Sequence, residues 1–338
     1  MATIKDVARL AGVGVGTASR VLSGKGSVAQ ATAERVRQAI ETLDFRPSHA
    51  ARTLLSGSSQ MIGVYIPLLK GTFYTPMLGL IDTELRANGR HMVVVFGSGD
   101  GAAREQAIEG IEFLIERGCD GLIVMSNALQ DEDIALLGPK QGHLAVLNHG
   151  LGSVPEQCFP VDHTRGGVLA AQTLLQLRHR QIAVIAGPSN APDNVERIAG
   201  FMAELGRHGV DSSKVLTAEG DFSPEGGWAA ARVLVSSGQV FTALFCANDE
   251  MAVGALSYFQ QVGISVPRDI SVLGYDDTPS AEYSAPRLTS VHMPWKDITQ
   301  SGLHWLLNRC YGTSYSVIRE FPISVTWRDS VGIADTIS

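Results

Sequence analysis

The pattern that most restricts the fold is a regular alternation of apolar runs with amphipathic stretches, between residues 61 and 275. The apolar runs are continuous, which is typical of strands covered on both faces of a parallel sheet, and the intervening stretches have helical spacing. Two such series, of about a hundred residues each, predict two doubly wound α/β lobes. We predict strands at 61–67, 91–96, 120–126, 143–148, 158–162, 181–186, 214–218, 241–247 and 269–275, and helices at 75–88, 103–117, 131–137, 164–177, 194–208, 225–237 and 249–262.

The N-terminal residues have a different pattern, that of a small helical headpiece. Thr3 and Asp6 have the spacing of a shortened capping box, and the following apolar positions predict a helix of about two turns that ends at Gly12. A second short helix follows, and its open side carries Val15, Gly16, Thr17, Ser19 and Arg20. Two short helices joined by a Gly-containing turn predict a helix-turn-helix whose second helix can lie in a DNA major groove. A third helix, at 30–43, closes the core.

The distribution of charge supports a nucleic-acid partner for the headpiece alone. Residues 1–60 hold eight Lys and Arg against four acids, whereas the whole chain has a net charge of -7. A basic module on an acidic body indicates that phosphate contacts are confined to the N-terminus. We therefore expect DNA to bind the headpiece and not the lobes.

A short segment after the headpiece has the features of a conditional helix. Arg46-Pro47 ends the third helix, and residues 48–55 could form two helical turns before Ser-Gly-Ser-Ser at 56–59. A helix this short is marginal in water, since nucleation is unfavourable and little surface can be buried. Its folding should depend on a partner. The alternative interpretation is a flexible linker with incidental leucines.

Polar and aromatic residues follow the strand ends of both lobes. Open parallel sheets bind small molecules at the carboxyl ends of their strands, so these residues are candidates for a ligand site between the lobes. Carboxylates, amides and an arginine can engage neighbouring hydroxyls, and an aromatic ring can cover the C–H face of a pyranose. The set suits a neutral, polyhydroxylated sugar. Its members are Phe73, Tyr74, Asn148, Asp162, Arg197, Phe222, Asn248 and Asp276.

Several motifs, in order, resemble one known family. The runs IKDVARLAGVGVGTASRVLSG, VAQATAERVRQAIETLDFRP and HAARTLLSG, followed by ERIAGF, ANDEMAVGAL and DISVLGYDDTPSAEYSAPRLTSV, are similar to the lactose/galactose repressor family of bacterial transcription factors. The likeness covers essentially the whole chain. It implies a DNA-binding headpiece at 1–46, a hinge helix and linker at 47–59, and two lobes of periplasmic-binding-protein type at 60–162 with 293–318 and at 163–292 with 319–338.

The resemblance also implies roles for individual residues. In the family, the hinge helix orders on operator DNA, pairs with its twin in a homodimer and inserts a leucine into the minor groove, and Leu54 falls at that position. We assign the DNA contacts to Thr3, Val15, Gly16, Thr17, Ser19, Arg20, His49, Ala51 and Leu54. Arg197, Phe222, Asn248 and Asp276 match positions that hold the inducer in sugar-responsive members, followed by Asn148 and Phe73. Structural alternatives stay open, because Asp276 could cap a turn, Phe222 could be core and Asn248 could cap a helix.

The sequence departs from the family in two places. Residues 67–71 (PLLKG) replace a polar, acid-containing loop, and Lys70 could indicate an anionic or phosphorylated ligand. In the second headpiece helix, Val15 and Gly16 offer no side-chain hydrogen bond and resemble the small apolar pair of galactose-type repressors. Base specificity would then come from apolar contact, with Arg20 and the neighbouring hydroxyls supplying polar contacts.

Other function classes have little support in the sequence. There is no catalytic motif or metal-spaced His and Cys cluster, so we expect neither an enzyme nor a cofactor, and the four widely spaced cysteines are most simply free thiols. No apolar run is long enough for a membrane span and no signal peptide is visible, which predicts a cytoplasmic protein without a membrane partner. The main hypothesis is a homodimeric repressor of carbohydrate-utilisation genes, which a mono- or disaccharide releases from a pseudo-palindromic operator. Alternatives are a corepressor-dependent regulator with a non-sugar or phosphorylated ligand, and a stand-alone sugar-binding protein.

Overall fold

A computed structural model describes residues 2–24, 27–45, 57–98 and 102–334 of the chain. The predicted hinge helix at 48–55 lies outside these residues. In the headpiece, three helices are present: α1 (Ile4–Leu10), α2 (Val15–Ser23) and α3 (Gln30–Thr42). Thr3 and Asp6 form the predicted capping box at the start of α1. Small buried side chains fill the core between the three helices, namely Val7, Ala8, Ala11, Ala18, Val36 and Ala39.

The first lobe is built on a five-stranded, fully parallel sheet with strand order β2-β1-β3-β4-β5. Its strands are β1 (Met61–Ile66), β2 (His91–Phe96), β3 (Gly121–Val124), β4 (Leu144–Leu147) and β5 (Cys158–Phe159), and its helices in chain order are α4 (Thr75–Ala87) and α5 (Ala103–Glu116). β1, β3 and β4 are almost wholly buried, as their continuous apolar sequences predict.

The second lobe contains a six-stranded sheet with strand order β11-β10-β9-β8-β6-β7, and only β11 runs antiparallel to its neighbour. Its elements, in chain order, are α6 (His163–Gln176), β6 (Ile182–Ala186), α7 (Pro192–Arg207), β7 (Leu216–Glu219), α8 (Pro224–Ser236), β8 (Ala243–Cys246), α9 (Asp249–Val262), β9 (Ser271–Asp276), α10 (Pro279–Tyr283), β10 (Thr289–His292) and, after a return to the first lobe, β11 (Ser324–Thr326). Helices α6 to α9 agree with the predicted helices to within two residues.

The chain passes between the lobes three times. It crosses after β5, then after β10 into α11 (Trp295–Tyr311), which packs on α4, β3 and β4 of the first lobe, and finally returns to β11. We keep the division at residues 162, 293 and 318 as our proposal for the lobe boundaries.

The prediction of a helix at 131–137 was only partly right. Residues Asp131–His143 form 3-10 turns that are interrupted at Gly138, which has φ +52°. A positive φ and the adjacent Pro139 both oppose a continuous α-helix. Between α11 and residue 334, Ser324–Thr326 is the one segment assigned as a strand.

Glycines bring two pairs of helices into direct backbone contact. A Cβ atom on Gly167 of α6 would overlap the carbonyl of Arg197, and one on Gly200 of α7 would overlap the carbonyl of Thr164. Gly227 and Gly254 play the same part where α8 meets α9. Because the interiors of proteins are close-packed, contacts this tight fix the position of one helix against the other.

Candidate functional site

The exposed face of α2 carries five of the predicted DNA contacts. Val15 is 44% exposed, and a side chain built at Gly16 would meet nothing within 4 Å, so this end of the helix is open to approach. Arg20 is exposed in the last turn, whereas Thr17 and Ser19 are half-buried. The apolar side of α2 faces the headpiece core through Ala18.

The other predicted DNA contacts lie outside α2. Thr3 is exposed and its hydroxyl is engaged with Asp6 at 2.7 Å as part of the capping box. His49, Ala51 and Leu54 lie outside the described residues, so their roles stay predictions.

The cleft between the lobes is marked by unusual backbone geometry. Asn148, Phe222 and Asp276, three of the eight predicted ligand residues, have positive φ angles of 64°, 65° and 102°. A positive φ is uncommon for residues with a Cβ because it strains the backbone. Strained backbone conformations are concentrated at functional sites. The strained positions lie where β4 and β9 end and where the loop after β7 turns towards α8.

Arg197 of α7 is the buried centre of this cleft. Its side chain lies flat on Tyr275, with the guanidinium carbon 3.7 Å from the ring centroid, and its Nη1 donates to the carbonyl of Ala247. Nη2 faces Asp193 at 3.5 Å. The third guanidinium nitrogen, Nε, is buried without a hydrogen-bond partner among the described residues. An unsatisfied buried donor costs about 1–3 kcal/mol, so this N–H would gain from a ligand acceptor.

A buried acid and an indole lie beside this arginine. Burial raises the pKa of Asp276 well above its ordinary value, although the positive charge of Arg197 opposes the shift. The buried indole N–H of Trp295 faces the same carboxyl group and lowers its pKa by hydrogen bonding. One unpartnered donor, an indole and a carboxyl group therefore lie close together between the lobes.

Asn248 has a structural role that the sequence left open as an alternative. Its side-chain oxygen accepts from the backbone N–H of Met251 at 2.9 Å and caps α9, and its amide donates to the carbonyl of Phe222 at 3.0 Å. Helix capping and support of the Phe222 loop use both ends of this amide. The Phe222 ring packs against Gly187, where a Cβ atom would overlap it.

The first lobe contributes aromatic rings to the cleft. Phe73 makes edge-on contacts with Tyr74 and Trp295, with centroid distances of 4.9 and 5.1 Å. Burial raises the pKa of Tyr74, and the nearby charges of Asp193 and Asp276 raise it further. Both predicted aromatic residues therefore lie at the interlobe surface.

Among the predicted ligand residues, Asp162 lies at the surface and not inside the cleft. It is exposed, and its carboxylate accepts from the backbone N–H of Arg165 at 2.7 Å, which caps α6. We retain it only as a proposed contact at the rim of the cleft.

Sequence reasoning missed His163, which is 2% exposed at the start of α6. Its Nε2 lies 2.7 Å from the Asn148 side-chain oxygen, and its Nδ1 lies 3.0 Å from the Tyr275 hydroxyl and 3.3 Å from Nη2 of Arg197. The signal in the sequence was weak, because this histidine directly follows a predicted crossover and not a strand end.

Two further contacts join the lobes at the loop where the sequence departs from the family. The backbone N–H of Thr72 donates to the buried carboxylate of Glu250 at 3.0 Å, and the Thr72 hydroxyl donates to the same oxygen. Burial raises the pKa of Asp221, but hydrogen bonds from Ser223 and the charge of Lys70 reverse the shift and lower it. The charge of Lys70 therefore acts on an acid of the opposite lobe.

The described residues hold no group of His, Cys, Asp and Glu side chains suited to a metal ion. Within the same part of the chain, none of the helices has both the length and the apolar character needed to cross a bilayer.

Two parts of the chain match known protein families. Residues 3–48 match the bacterial regulatory proteins of the lacI family, and residues 171–331 match the periplasmic binding protein-like domain. The chain is 31% identical to the HTH-type transcriptional regulator AscG of Escherichia coli (strain K12), over 98% of each chain.

Two solved structures are similar over nearly the full length. One is the lac repressor dimer bound to operator and the anti-inducer ONPF, with 28% identity, a TM-score of 0.80 and coverage of 98% of this chain and 99% of that one. The other is the complex of the transcriptional regulator CelR with cellobiose, with 30% identity, a TM-score of 0.66 and coverage of 98% and 100%.

The fold and the two sites define a DNA-binding transcriptional regulator with an effector cleft, and not an enzyme. The chain belongs to the lacI family of bacterial regulatory proteins.

Proposed function

We propose that this protein is a cytoplasmic, homodimeric repressor of carbohydrate-utilisation genes that leaves its operator when a small sugar binds between its lobes. The observation that carries the sugar proposal is the buried Arg197 Nε, which has no partner among the described residues and lies near the buried Asp276 and the indole of Trp295. Neighbouring hydroxyls of a sugar ring can accept from such donors and donate to a carboxylate. Phe73 and Phe222 supply ring surface for the apolar C–H face.

We infer that the sugar is neutral and not phosphorylated. The cationic charge of Arg197 is opposed by the carboxylate of Asp193, which lies 3.5 Å from its Nη2. Lys70, the residue that suggested an anionic ligand, interacts electrostatically with Asp221. A phosphate at Arg197 would be repelled by the Asp193 carboxylate.

DNA recognition follows from the headpiece. In a dimer, two copies of α2 reach successive major grooves of a pseudo-palindrome, with Val15 and Gly16 against base edges and Arg20 as the polar reader. The segment at 48–55 pairs with its twin in the intervening minor groove, where Leu54 wedges a base step. Homodimer symmetry therefore matches operator symmetry.

In this scheme, sugar binding and operator binding weaken each other. The sugar changes the relative position of the lobes, the two hinge segments lose their mutual support, and DNA affinity falls. Coupling of this kind is reciprocal, so the operator weakens sugar binding by the same factor. The competing scheme is a corepressor, in which the small molecule and the operator strengthen each other.

Gel-shift titration with pseudo-palindromic duplexes tests the DNA half of the proposal. We expect a salt-sensitive complex that Arg20→Ala weakens by about tenfold or more, since an arginine–base pair contributes roughly 1–3 kcal/mol. Arg268→Ala removes the same charge from an exposed site in the second lobe and should have no effect. A complex that is absent, or equally affected by both variants, contradicts the proposal.

Thermal-shift titration tests the ligand half. Cellobiose, D-galactose and D-ribose, each with its phosphorylated counterpart, should be compared with and without duplex. We expect a neutral sugar to stabilise the protein, its phosphate to stabilise it less, and the duplex to weaken the neutral sugar. Stronger binding of the sugar in the presence of duplex would support the corepressor scheme instead.

A further inference from the structure

His163 lies at the junction of the two lobes and its polar atoms contact both. It is the first residue of α6 in the second lobe, and its ring packs beside Tyr275 and Trp295 at centroid distances of 6.0 and 6.4 Å. Its Nε2 reaches Asn148, which follows β4 of the first lobe. Its Nδ1 is directed to Tyr275 and Arg197 of the second lobe.

The hydrogen-bond partners determine the tautomer of this ring. Arginine can only donate, so Nδ1, 3.3 Å from Arg197 Nη2, is the unprotonated acceptor. Nε2 then carries the proton and donates to the Asn148 oxygen at 2.7 Å. Burial and the charge of Arg197 both lower the pKa of His163, which agrees with a neutral ring.

A chain of hydrogen bonds therefore runs from the effector cleft into the first lobe. Arg197 donates to His163, His163 donates to Asn148, and the Asn148 amide donates to Asn127 beyond β3 at 3.4 Å. The other described contacts of the Arg197 guanidinium, with Ala247, Asp193 and Tyr275, stay inside the second lobe. A change at the guanidinium thus has a polar route across the cleft through His163.

We propose that His163 is a positioning residue that transmits ligand occupancy at Arg197 to the first lobe through Asn148. The inference rests on the proposed function, since it concerns the coupling between sugar and operator. A ligand that draws the guanidinium towards its own hydroxyls competes with the acceptor Nδ1. The bond from Nε2 to Asn148 then responds, because both nitrogens belong to one rigid ring.

The experiment compares sugar affinity with and without operator in matched variants of the full chain. The ligands are cellobiose, D-galactose and D-ribose, and the duplex is the pseudo-palindrome that wild-type protein binds most tightly. His163→Leu removes both hydrogen bonds. We expect the ratio of the two sugar dissociation constants to fall roughly three- to tenfold towards one, as loss of one buried hydrogen bond predicts.

His179 provides a matched control. It is also 2% exposed and also uses both ring nitrogens, with Thr242 at 2.9 Å and the carbonyl of Gly332 at 3.0 Å, but these partners are in the second lobe. His179→Leu should lower stability as His163→Leu does and leave the coupling ratio at the wild-type value. His163→Gln keeps a donor and an acceptor on one side chain and should restore most of the coupling.

Imidazole nitrogen NMR gives a second readout that needs no operator. Comparison with His163→Gln assigns the signals, and we expect a neutral ring protonated on Nε2 between about pH 5.5 and about pH 8. A proton on Nδ1 overturns the relay. Coupling that survives unchanged in His163→Leu overturns it as well, whereas wild-type protein that binds sugar and duplex without mutual effect contradicts the proposed function itself.

Discussion

The two lobes share one architecture but contribute different chemistry to the cleft between them. The second lobe supplies buried polar groups, among them Arg197, Asp249 and Asp276, each at most 6% exposed. The first lobe, with the α11 that packs on it, supplies the rings of Phe73, Tyr74 and Trp295. A buried charge needs partners held in fixed positions, and the glycine contacts of α6 with α7 and of α8 with α9 provide such a frame. The buried polar groups are therefore held rigidly in one lobe, while the other lobe provides ring surface opposite them.

The largest expected effect comes from removing the central cation of the second lobe. Arg197→Met should lower the free energy of unfolding by about 3 kcal/mol, because Asp276 and the carbonyl of Ala247 lose their buried partner. Sugar affinity should fall by about a hundredfold. Urea unfolding and calorimetric titration with cellobiose, D-galactose and D-ribose measure the two effects. Arg207→Met, on the exposed side of the same helix, should leave both near wild type, and an equal response would contradict the assigned role.

The second prediction concerns a buried acid of the second lobe that is costly to ionise. Burial raises the pKa of Asp249 to about 7, although hydrogen bonds from Ser290 and Thr278 oppose the shift. The folded protein then holds this proton more tightly than the unfolded chain, so the free energy of unfolding falls as pH rises from about 4 to about 7. Asp249→Asn removes the titration. Its stability relative to wild type should increase by about 3 kcal/mol between about pH 5 and about pH 7.5.

Asp133 in the first lobe is the control for this pH effect. It is also buried, but hydrogen bonds from Arg104 lower its pKa, so its contribution to stability is lost only as pH falls below about 4. Asp133→Asn should destabilise the protein by the same amount at both pH values. If the pH dependence of the free energy of unfolding disappeared in Asp133→Asn and persisted in Asp249→Asn, the group responsible would be the acid of the first lobe and not that of the second.

A smaller effect is expected from the rings of the first lobe. Phe73→Leu removes edge-on contacts with Tyr74 and Trp295 and should cost about 1 kcal/mol of stability. Because ring surface would cover the sugar, affinity should fall about fivefold, far less than for Arg197→Met. An effect on sugar affinity as large as that of Arg197→Met would show that recognition is shared equally by the lobes.

The smallest effect is expected where the lobes touch at Thr72 and Glu250. Thr72→Val removes the hydroxyl bond and keeps the backbone donor, so the cost should be about 0.5–1 kcal/mol. A double-mutant cycle with Glu250→Gln isolates the interaction in urea unfolding. Additive effects would mean that this contact does not hold the lobes together.

Much of the fold was predictable because its signals are local. Continuous apolar strands, helices of matching spacing and the Thr3–Asp6 cap depend on near neighbours in the chain, and the predicted helices of the second lobe were confirmed within two residues. The 3-10 turns of residues 131–137 were not predicted, since this segment taken alone has an acceptable α-helical pattern.

The site was less predictable because it depends on how three crossings bring distant residues together. Arg197 and Asp276 were found from strand ends and motif positions, but Trp295 comes from the second crossing and His163 directly follows the first. Their value as site residues lies in partners more than a hundred positions away, such as Tyr275 for His163. The spacing of residues along the chain does not reveal such pairs. The DNA and effector assignments themselves stay predictions.

The glycine contacts between α6 and α7 limit how such a regulator can acquire a new small-molecule effector during evolution. A methyl group at Gly167 or Gly200 would collide with main chain of the opposite helix and push the helices apart, moving Arg197 away from Tyr275. Such a change is lost before it can be selected. Diversification is therefore left to the rim, in the Phe222 turn and residues 70–72, so the descendants of this protein would exchange ligands while keeping the same arginine in the same place.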